Sequence, residues 1–325
     1  MRIFNNTHAV KSDALLLLTA IIWGFAFVAQ RIGMDFVGPF TFNGIRFALG
    51  SLVLIPFIAI KRALPDNFHE KKIRVSAKEL LAGGGLTGLA LFTAASFQQV
   101  GLVYTTAGNA GFITGLYVVM VPMLGLLFKH RTNAGIWLGA LLAAAGLYYL
   151  SITEKLTIAY GDFLELVGAF VWAVHVLIIA WLSPRMNPLK LAATQYAACS
   201  ILSLTTAFLI EVITINKIYQ AAIPIIYGGA LSVGVAYTLQ VVAQRKAHPA
   251  HAAILLSLEA VFAALGGWFV LGETLTPRRM LGCGLMLAGM LTSQLWGMVK
   301  RTQSGLSTVK LPALKGGAFR KGKYL

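Results

Sequence analysis

Two charged side chains, Glu259 and Arg46, lie deep within long apolar stretches of this chain, where a charge costs free energy and usually serves a function. A ~1.5 Å rise per helical residue puts Glu259 about 15 Å and Arg46 about 10 Å from the ends of their stretches, close enough in depth for an ion pair. Glu259 could bind a cationic group of a solute, carry a coupling proton, or be a structural residue hydrogen-bonded to neighbouring helices. Arg46 could bind a solute, or an internal ion pair or backbone carbonyls could satisfy it.

Aromatic residues occupy the middle of two other apolar stretches. Trp23 and Trp172 are far from the interfacial belt in which tryptophan usually anchors a membrane protein. Their rings could line a cavity for flat or cationic solutes through stacking and cation–π contacts, although tight packing would explain them equally well. His175 is a second candidate for proton coupling because imidazole titrates near neutral pH, and the alternative is a packing residue with satisfied hydrogen bonds.

Several polar residues lie near the ends of apolar stretches, where water is available. Gln98 and Gln240 there indicate mainly vestibule or capping groups. Asp162 and Glu165 lie near the start of a stretch, where carboxylates interact favourably with the dipole of a helix. We therefore interpret these four residues as groups at helix ends.

The sequence lacks the motifs of several chemistries. It has no Cys/His cluster with metal-ligand spacing, no His-Glu-x-x-His run and no strong nucleophile–base motif. Residues 317–324 nearly match a phosphate-binding loop, but Tyr324 replaces the Ser or Thr that binds magnesium, and no strand precedes the loop. We predict no metal site, no cofactor and no enzymatic activity.

The composition is that of a membrane protein. Mean hydropathy is +0.76, and 58% of the residues are hydrophobic against 12% charged, whereas a soluble domain has about 25% charged residues. Most of the low-charge stretches reach the roughly 20 residues that cross a bilayer, and in lipid they must be helical. The stretches run over 14–33, 39–60, 79–100, 107–128, 133–150, 160–182, 189–210, 221–243, 250–271 and 277–298.

The two halves of the chain repeat one pattern of apolar and punctuating residues. The matching features are Ala-Ile-Ile-Trp at 20–23 with Ala-Phe-Val-Trp at 169–172, Pro39 with Pro188, and Leu-Gly at 138–139 before Gly146 with Leu-Gly at 281–282 before Gly289. Each half holds five apolar stretches, and five is odd, so the second half must run through the bilayer in the opposite sense.

This pattern predicts an all-α integral membrane protein with ten transmembrane helices arranged as two inverted five-helix repeats. The repeats cover 13–151 and 152–298, with a cytoplasmic lead at 1–12 and a basic cytoplasmic tail at 299–325. Inverted repeats are typical of alternating-access carriers, whose site lies at the bilayer midplane where the repeats meet.

Matching positions in the two halves hold unlike polar residues, which indicates an asymmetric site within a symmetric frame. With a one-residue slip in the alignment of the two copies, the pairs are Tyr117 with Glu259, Asn109 with His251, and Arg46 with Gln195.

The net charge of +16 reflects topology rather than nucleic-acid binding. If the amino terminus is cytoplasmic, 21 of the 27 Lys and Arg residues fall on the cytoplasmic side and five on the other. This asymmetry follows the positive-inside rule and predicts that both termini are cytoplasmic, in the plasma membrane of a bacterium. Some of the basic residues could also attract anionic lipids.

Four segments resemble the EamA-type branch of the drug/metabolite transporter superfamily. They read Ile-Trp-Gly-Phe-Ala-Phe at 22–27, Ile-Arg-Phe-Ala at 45–48, Leu-Glu-Ala-Val-Phe-Ala-Ala-Leu at 258–265 followed by Leu-Gly-Glu-Thr-Leu-Thr at 271–276, and Leu-Gly at 281–282 with Gly289. The resemblance implies ten helices in two inverted repeats, a central cavity and secondary transport of small organic solutes, often export.

The sequence departs from that family pattern at two places. Ala260 stands where the family usually has proline, which argues against a kink there. The first half has Lys129-His130-Arg131 where the second half has Gly272-Glu273.

We therefore predict a secondary active transporter that exports small organic metabolites, amino acids or drugs by alternating access, with protons as the candidate coupling ion. The partners are a small-molecule substrate and the lipid bilayer. The alternatives are a passive facilitator or channel for small solutes and a membrane-embedded enzyme that modifies lipids. The identity of the solute and the oligomeric state stay open at this point.

Overall fold

The computed structural model describes residues 4–63, 75–127, 133–151, 159–245, 247, 249–274 and 276–306. Over these residues the chain is helical and contains no strand. The helices are α1 (Phe4–Gly33), α2 (Pro39–Ala63), α3 (Ala77–Tyr104), α4 (Ala107–Thr114), α5 (Tyr117–Leu127), α6 (Ala134–Ser151), α7 (Tyr160–Leu182), α8 (Pro188–Ile210), α9 (Ile215–Gln220), α10 (Ala222–Ile226), α11 (Thr238–Gln244), α12 (Pro249–Leu256), α13 (Glu259–Leu271) and α14 (Pro277–Leu306). A π-helical segment, Tyr227–Tyr237, joins α10 to α11. The Lys129-His130-Arg131 sequence and the tail beyond 306 lie outside the described residues.

Eight helical stretches of the described chain are long and apolar enough to cross a bilayer. They are Val10–Gly33, Pro39–Ile60, Ala77–Tyr104, Ala107–Leu127, Tyr160–Leu182, Pro188–Ile210, Ala222–Gln244 and Pro249–Leu271. Two shorter apolar helices, Ala134–Gly146 and Met280–Gly289, fall within the fifth and tenth predicted spans. The all-α membrane class is confirmed, while the count of ten spans and their inverted arrangement stay predictions.

Three of the long spans are not continuous α-helices. The span at 107–127 breaks at Gly115 and Leu116, between α4 and α5, and the span at 249–271 breaks at Ser257 and Leu258, between α12 and α13. The span at 222–244 is π-helical in its middle, from Tyr227 to Tyr237. Backbone irregularities at membrane depth are tolerated where they line a cavity, and π-helical turns are frequent at functional sites.

The break before Glu259 corrects an expectation from the sequence. Ala260 in place of proline argued against a kink, yet the helix is interrupted two residues earlier, at Leu258. The hydroxyl of Ser257 donates to the carbonyl of Ile254 at 2.8 Å. Such a bond from a Ser side chain to its own helix backbone bends helices, so it offers a local cause that needs no proline.

Three pairs of corresponding spans from the two halves pack against each other. Helix α2 packs on α8 and α6 packs on α14. Of the two broken spans, α4 packs on α13 and α5 packs on α12, so these spans run antiparallel and cross near their breaks. The contact between α6 and α14 is close because glycines meet there. A Cβ on Gly146 would lie 2.5 Å from the carbonyl oxygen of Gly282, and one on Gly289 would lie 2.5 Å from that of Gly139.

Two glutamates from the second half cap helices of the first half. The Glu211 carboxylate, directly after α8, accepts from the amides of Phe40 and Thr41 at 2.8 Å each and from the Thr41 hydroxyl at 2.6 Å. The Glu273 carboxylate accepts from the amides of Ala107 and Gly108 at 3.1 and 3.2 Å. Both carboxylates satisfy free N–H groups at a helix N-terminus and face its positive dipole end.

Glu273 reaches α4 because the chain reverses at the residue before it. Gly272 has a φ of +68°, a left-handed conformation that favours glycine, and it ends α13. The Gly-Glu sequence at 272–273 therefore has a local structural role: the glycine ends one helix, and the glutamate caps another.

Candidate functional site

A cavity lies where α1, α2, α3, α4, α5, α7, α11, α12, α13 and the π-helical segment converge. It encloses about 20 Å³, enough for about one water molecule. Five of the nine site residues predicted from sequence line it: Trp23, Arg46, Tyr117, Trp172 and Glu259. Residues far apart in the chain thus meet at one place near the middle of the bundle.

The two broken spans contribute Tyr117 and Glu259. Each is the first residue of the second part of its span, Tyr117 in α5 and Glu259 in α13. The Glu259 side chain is buried, and the Tyr117 hydroxyl lies within electrostatic range of its carboxyl group. Within the described chain, however, the Tyr117 hydroxyl makes no hydrogen bond of standard geometry. The two groups therefore lie close together at the cavity, and the Tyr117 hydroxyl has hydrogen-bonding capacity to spare.

Arg46 is a fully buried cation on the α2 side of the cavity, 1% exposed. Its Nε donates to Oδ1 of Asn43 at 2.9 Å, and its guanidinium carbon lies 4.8 Å from the centre of the Phe47 ring. Its Nη2 has no hydrogen-bond partner among the described residues. The ion pair with Glu259 that the sequence allowed is absent from the ion pairs of the described chain. The cavity therefore holds a cation and a carboxyl group that do not neutralise each other directly.

An aromatic cluster of Trp23, Trp172 and Tyr237 lies beside these two groups. The Tyr237 ring centre lies 4.4 Å from that of Trp23 and 5.9 Å from that of Trp172, on which it stacks. Tyr237 is within electrostatic range of both Arg46 and Glu259. A flat group of a solute could stack in this cluster while its polar groups reach the two ionisable residues.

The two tryptophans are oriented by hydrogen bonds to helices of the opposite half. Trp23 Nε1 donates to the carbonyl of Ser232 in the π-helical segment at 3.2 Å, and Trp172 Nε1 donates to Oε1 of Gln98 in α3 at 2.9 Å. Gln98 in turn donates to Gln30 Oε1 at 3.1 Å. Each half thus positions the tryptophan of the other, and the donors of both indoles are satisfied.

The other four predicted site residues do not line the cavity. His175 and Gln195 form a buried layer behind Trp172, in which His175 Nε2 lies 3.0 Å from Gln195 Oε1 and the His175 ring packs edge-on against the indole. Asn109 lies in the first turn of α4, where its backbone N–H donates to the Thr106 hydroxyl. His251 Nε2 lies 2.9 Å from Asp13 Oδ1 and is partly exposed.

Several cavity residues escaped the sequence analysis. Gln98 and Gln240, interpreted as vestibule or capping groups, are 5% and 1% exposed and line the cavity, as do Gln30, Thr114 and Tyr237. Glu165, interpreted as a group at a helix end, is 0% exposed. Its Oε2 accepts from the Thr114 hydroxyl at 3.1 Å. A polar side chain within an apolar stretch was a signal for each of them, but sequence position alone did not distinguish a helix end from a buried turn.

The described residues contain no group of three or more His, Cys, Asp and Glu side chains placed to hold a metal ion. The groups that could bind a ligand here are the guanidinium of Arg46, the carboxyl of Glu259, the Tyr117 hydroxyl and the aromatic faces. These groups suit a small organic solute that carries polar ends on a flat apolar body.

Comparison with known proteins shows that the chain is similar to membrane transporters. A family model described as the EamA-like transporter family matches the chain twice, over residues 10–152 and 159–293. An uncharacterized transporter of Archaeoglobus fulgidus is 35% identical over 283 residues, which is 85% of this chain and 83% of that protein. The uncharacterized inner membrane transporter YedA of Escherichia coli is 23% identical over 82% of this chain and 85% of its own length. A protein of known crystal structure has the same fold, with a TM-score of 0.69 at 18% identity over 88% of this chain and 98% of its own.

Proposed function

The chain belongs to the EamA-like transporter family, and from this premise we propose that it is a secondary active transporter that moves small organic solutes through the central cavity by alternating access. As a member of this family it is a multi-pass membrane transporter and not an enzyme. The observation that carries the proposal is the meeting of Arg46, Glu259 and an aromatic cluster at breaks in the spanning helices.

The proposal includes ten spans in two inverted five-helix repeats, at 13–151 and 152–298. Two facts support this arrangement. The family model matches each half separately, with bounds close to those predicted. The glycine contacts between α6 and α14 are reciprocal, since Gly146 meets Gly282 and Gly139 meets Gly289. A contact repeated in this crosswise way is expected when two similar units are related by a two-fold axis.

Alternating access is supported by the size of the cavity. About 20 Å³ of space cannot hold an organic solute, because binding sites for such molecules are about 300–1,000 Å³. Solute binding therefore requires helices around the cavity to separate. The interrupted spans place Tyr117 and Glu259 at the breaks, where the backbone can change direction at low cost.

The chemistry of the cavity favours an amphoteric solute with a flat apolar body. Arg46 would bind a carboxylate or a similar anionic group, Glu259 and Tyr117 would bind an ammonium group, and Trp23 with Trp172 would hold the body. Amino acids with aromatic or large apolar side chains have these three features. Among the predicted substrate classes, amino acids fit the site best.

Glu259 is also the proposed proton-coupling group, because a buried carboxyl without a bound cation can accept a proton in its place. His175 is the second candidate, and Gln195 would orient its ring from behind Trp172. Export, residence in a bacterial inner membrane and cytoplasmic termini remain part of the proposal. The charge distribution of the sequence supports the cytoplasmic termini, and the description of YedA as an inner membrane transporter supports the membrane. Export rests on the resemblance to the family alone.

Counterflow into sealed proteoliposomes tests the proposal. Vesicles containing the purified protein are preloaded with one unlabelled amino acid and diluted into the same amino acid in labelled form, in separate assays for tryptophan, phenylalanine, leucine, lysine and glutamate. A carrier gives a transient, saturable overshoot of label for at least one of them, whereas a channel gives simple equilibration. The proposal fails if no solute of this panel shows counterflow with and without an imposed pH gradient.

A further inference from the structure

A second buried carboxyl group, that of Glu165, does not line the cavity but is hydrogen-bonded to a residue that does. Glu165 belongs to α7 and is completely buried. Its Oε2 accepts a hydrogen bond from the Thr114 hydroxyl at 3.1 Å, and Thr114 lines the cavity as the last residue of α4, directly before the break. Its Oε1 has no hydrogen-bond partner among the described residues. The carboxyl is therefore one hydroxyl group away from the cavity and only half satisfied.

The packing around Glu165 is built to accommodate this side chain. Its carboxyl lies against Gly101 of α3, where an added Cβ would lie 2.8 Å from Oε1. The groove exists because α3 and α7 approach closely, as a Cβ on Gly161 would lie 2.9 Å from the carbonyl of Gly101. A fully buried carboxyl in a glycine-lined groove is an expensive feature for a merely structural contact, since an apolar side chain would fill the same space without a desolvation cost.

The ionisable groups in electrostatic range of Glu165 are both acidic. Asp162 lies one helical turn away on the same helix, is partly exposed and accepts from the Thr105 hydroxyl at 2.7 Å. Glu259 lies on the far side, at the cavity. The helices α3 and α4, which also pack on Glu165, contribute Gly101 and Thr114 at this point, and neither ionises. Among the described residues, no Lys, Arg or His side chain forms an ion pair with Glu165.

We propose that Glu165 is a second proton-binding site and passes protons between the end of α7 marked by Asp162 and Glu259 in the cavity. The inference rests on the proposed coupling role of Glu259. In the step toward the cavity, the Glu165 O–H bond breaks, and the proton moves past Thr114 to a Glu259 carboxylate, where an O–H bond forms. Glu165 is left as a carboxylate and regains a proton by way of Asp162, where a hydronium ion from the solvent delivers it and becomes water. No electron is transferred and no other reactant is consumed.

The order of groups supports this route of transfer. The partly exposed Asp162, the buried Glu165, the cavity-lining Thr114 and the cavity carboxyl Glu259 form a series from the end of α7 to the site. A proton can reach the cavity along these groups while the cavity is too small to admit an organic solute. Proton and solute then use separate routes to the same site.

Infrared difference spectroscopy of the reconstituted protein tests the inference without any solute. When the pH is changed, a buried carboxyl that binds a proton gives a C=O stretching band of the protonated acid that shifts in D₂O. We expect two such bands in the wild type, loss of one in Glu165→Gln and loss of the other in Glu259→Gln. Thr114→Val removes one hydrogen bond but keeps the acid, so the Glu165 band should move in frequency and persist. An unchanged spectrum in Glu165→Gln overturns the inference.

The transfer step is tested by the rate at which the Glu259 band appears after a rapid pH jump. Positioned side chains accelerate proton transfer strongly, so Glu165→Gln should slow the appearance of this band by at least about tenfold. An equal rate in Glu165→Gln and wild type overturns the transfer role. Asp35→Asn is the matched control, because it alters an exposed carboxyl in the turn after α1. It should leave both bands and the rate at which the Glu259 band appears unchanged. These results do not depend on solute transport, so they are separate from success or failure of the counterflow assay.

Discussion

Tyr117 and Glu259 occupy equivalent positions beside the cavity: each is the first residue after a break in its spanning helix. The two spans cross in antiparallel fashion, so the breaks meet and the two side chains face each other. The start of α13 also offers the positive end of a helix dipole next to the Glu259 carboxyl. One half of the chain supplies a hydroxyl and the other an acid, which gives an asymmetric site within a nearly symmetric frame.

Glu259→Gln should abolish accumulation driven by a pH gradient, because an amide keeps the shape of the side chain but cannot bind a proton reversibly. Counterflow without a gradient should also fall, because Glu259 binds the ammonium group of the solute in the proposed site and an amide offers it no negative charge. The measurement is labelled amino-acid uptake into proteoliposomes at equal and at unequal pH.

Asp35→Asn is the control for that experiment, because Asp35 is an exposed carboxyl paired with Arg31 at 2.9 Å. It should change neither accumulation nor counterflow. Gradient-driven accumulation at the wild-type level in Glu259→Gln would exclude Glu259 as the coupling group and leave His175 as the candidate.

The sequence predicted the fold better than it predicted the site. The apolar stretches and the repeated Trp, Pro and Leu-Gly positions gave the helical membrane class, because lipid leaves the backbone few options. Arg46 and Glu259 were predicted because charged groups are rare inside spans, and Trp23 and Trp172 because they are far from the interface. Tyr117 was predicted because it matches Glu259 across the repeat, and all five residues line the cavity.

What the sequence could not give is which faces of the helices converge. Tyr237 stacks on Trp172 through a π-helical segment that rotates the following residues, and no residue pattern indicated that segment. The sequence places Glu165 near the start of its helix, which indicated a helix-end group. Its burial depends instead on the neighbouring helix α3, where Gly101 leaves room for the carboxyl group. Asn109 and His251 matched across the repeat, yet they lie outside the cavity.

Arg46→Gln should weaken the binding of solutes that carry a carboxylate. A hydrogen bond to a charged group contributes about 1.5–3 kcal/mol, so the KM of such a solute should rise by about tenfold or more. Arg46→Lys keeps the charge without the planar fork and should show a smaller increase. The measurement is the concentration dependence of counterflow for an amino acid.

The matched comparison for Arg46 is the corresponding amino-acid amide, which lacks the carboxylate. Its KM should be the same in wild type and Arg46→Gln. An equal rise for the acid and the amide would mean that Arg46 supports the packing of α2, through Phe47 and Asn43, and does not contact the solute.

Tyr237→Ala should impair binding of flat solutes, whereas Tyr237→Phe should not. The ring contacts Trp23 and Trp172, and each aromatic pair contributes about 0.5–1.5 kcal/mol beyond its buried area. The Tyr237→Phe variant keeps both ring contacts, so its KM for phenylalanine as the solute should stay within about twofold of wild type. The Tyr237→Ala variant should raise this KM by about tenfold. Equal effects of both substitutions would assign the role to the hydroxyl instead of the ring.

Gly289→Ala should destabilise the protein, while Gly284→Ala on the same helix should not. A Cβ on Gly289 would lie 2.5 Å from the carbonyl oxygen of Gly139, so α14 and α6 would have to move apart, whereas a Cβ on Gly284 meets nothing within 4 Å. Overpacking costs about 1–3 kcal/mol, and alanine in an open helical position gains up to about 1 kcal/mol over glycine. Thermal unfolding in detergent should therefore give a lower midpoint for Gly289→Ala and an equal or higher one for Gly284→Ala. The same midpoint for both variants would mean that the two halves do not depend on this close contact, and the crosswise packing would lose its support for the two-repeat arrangement.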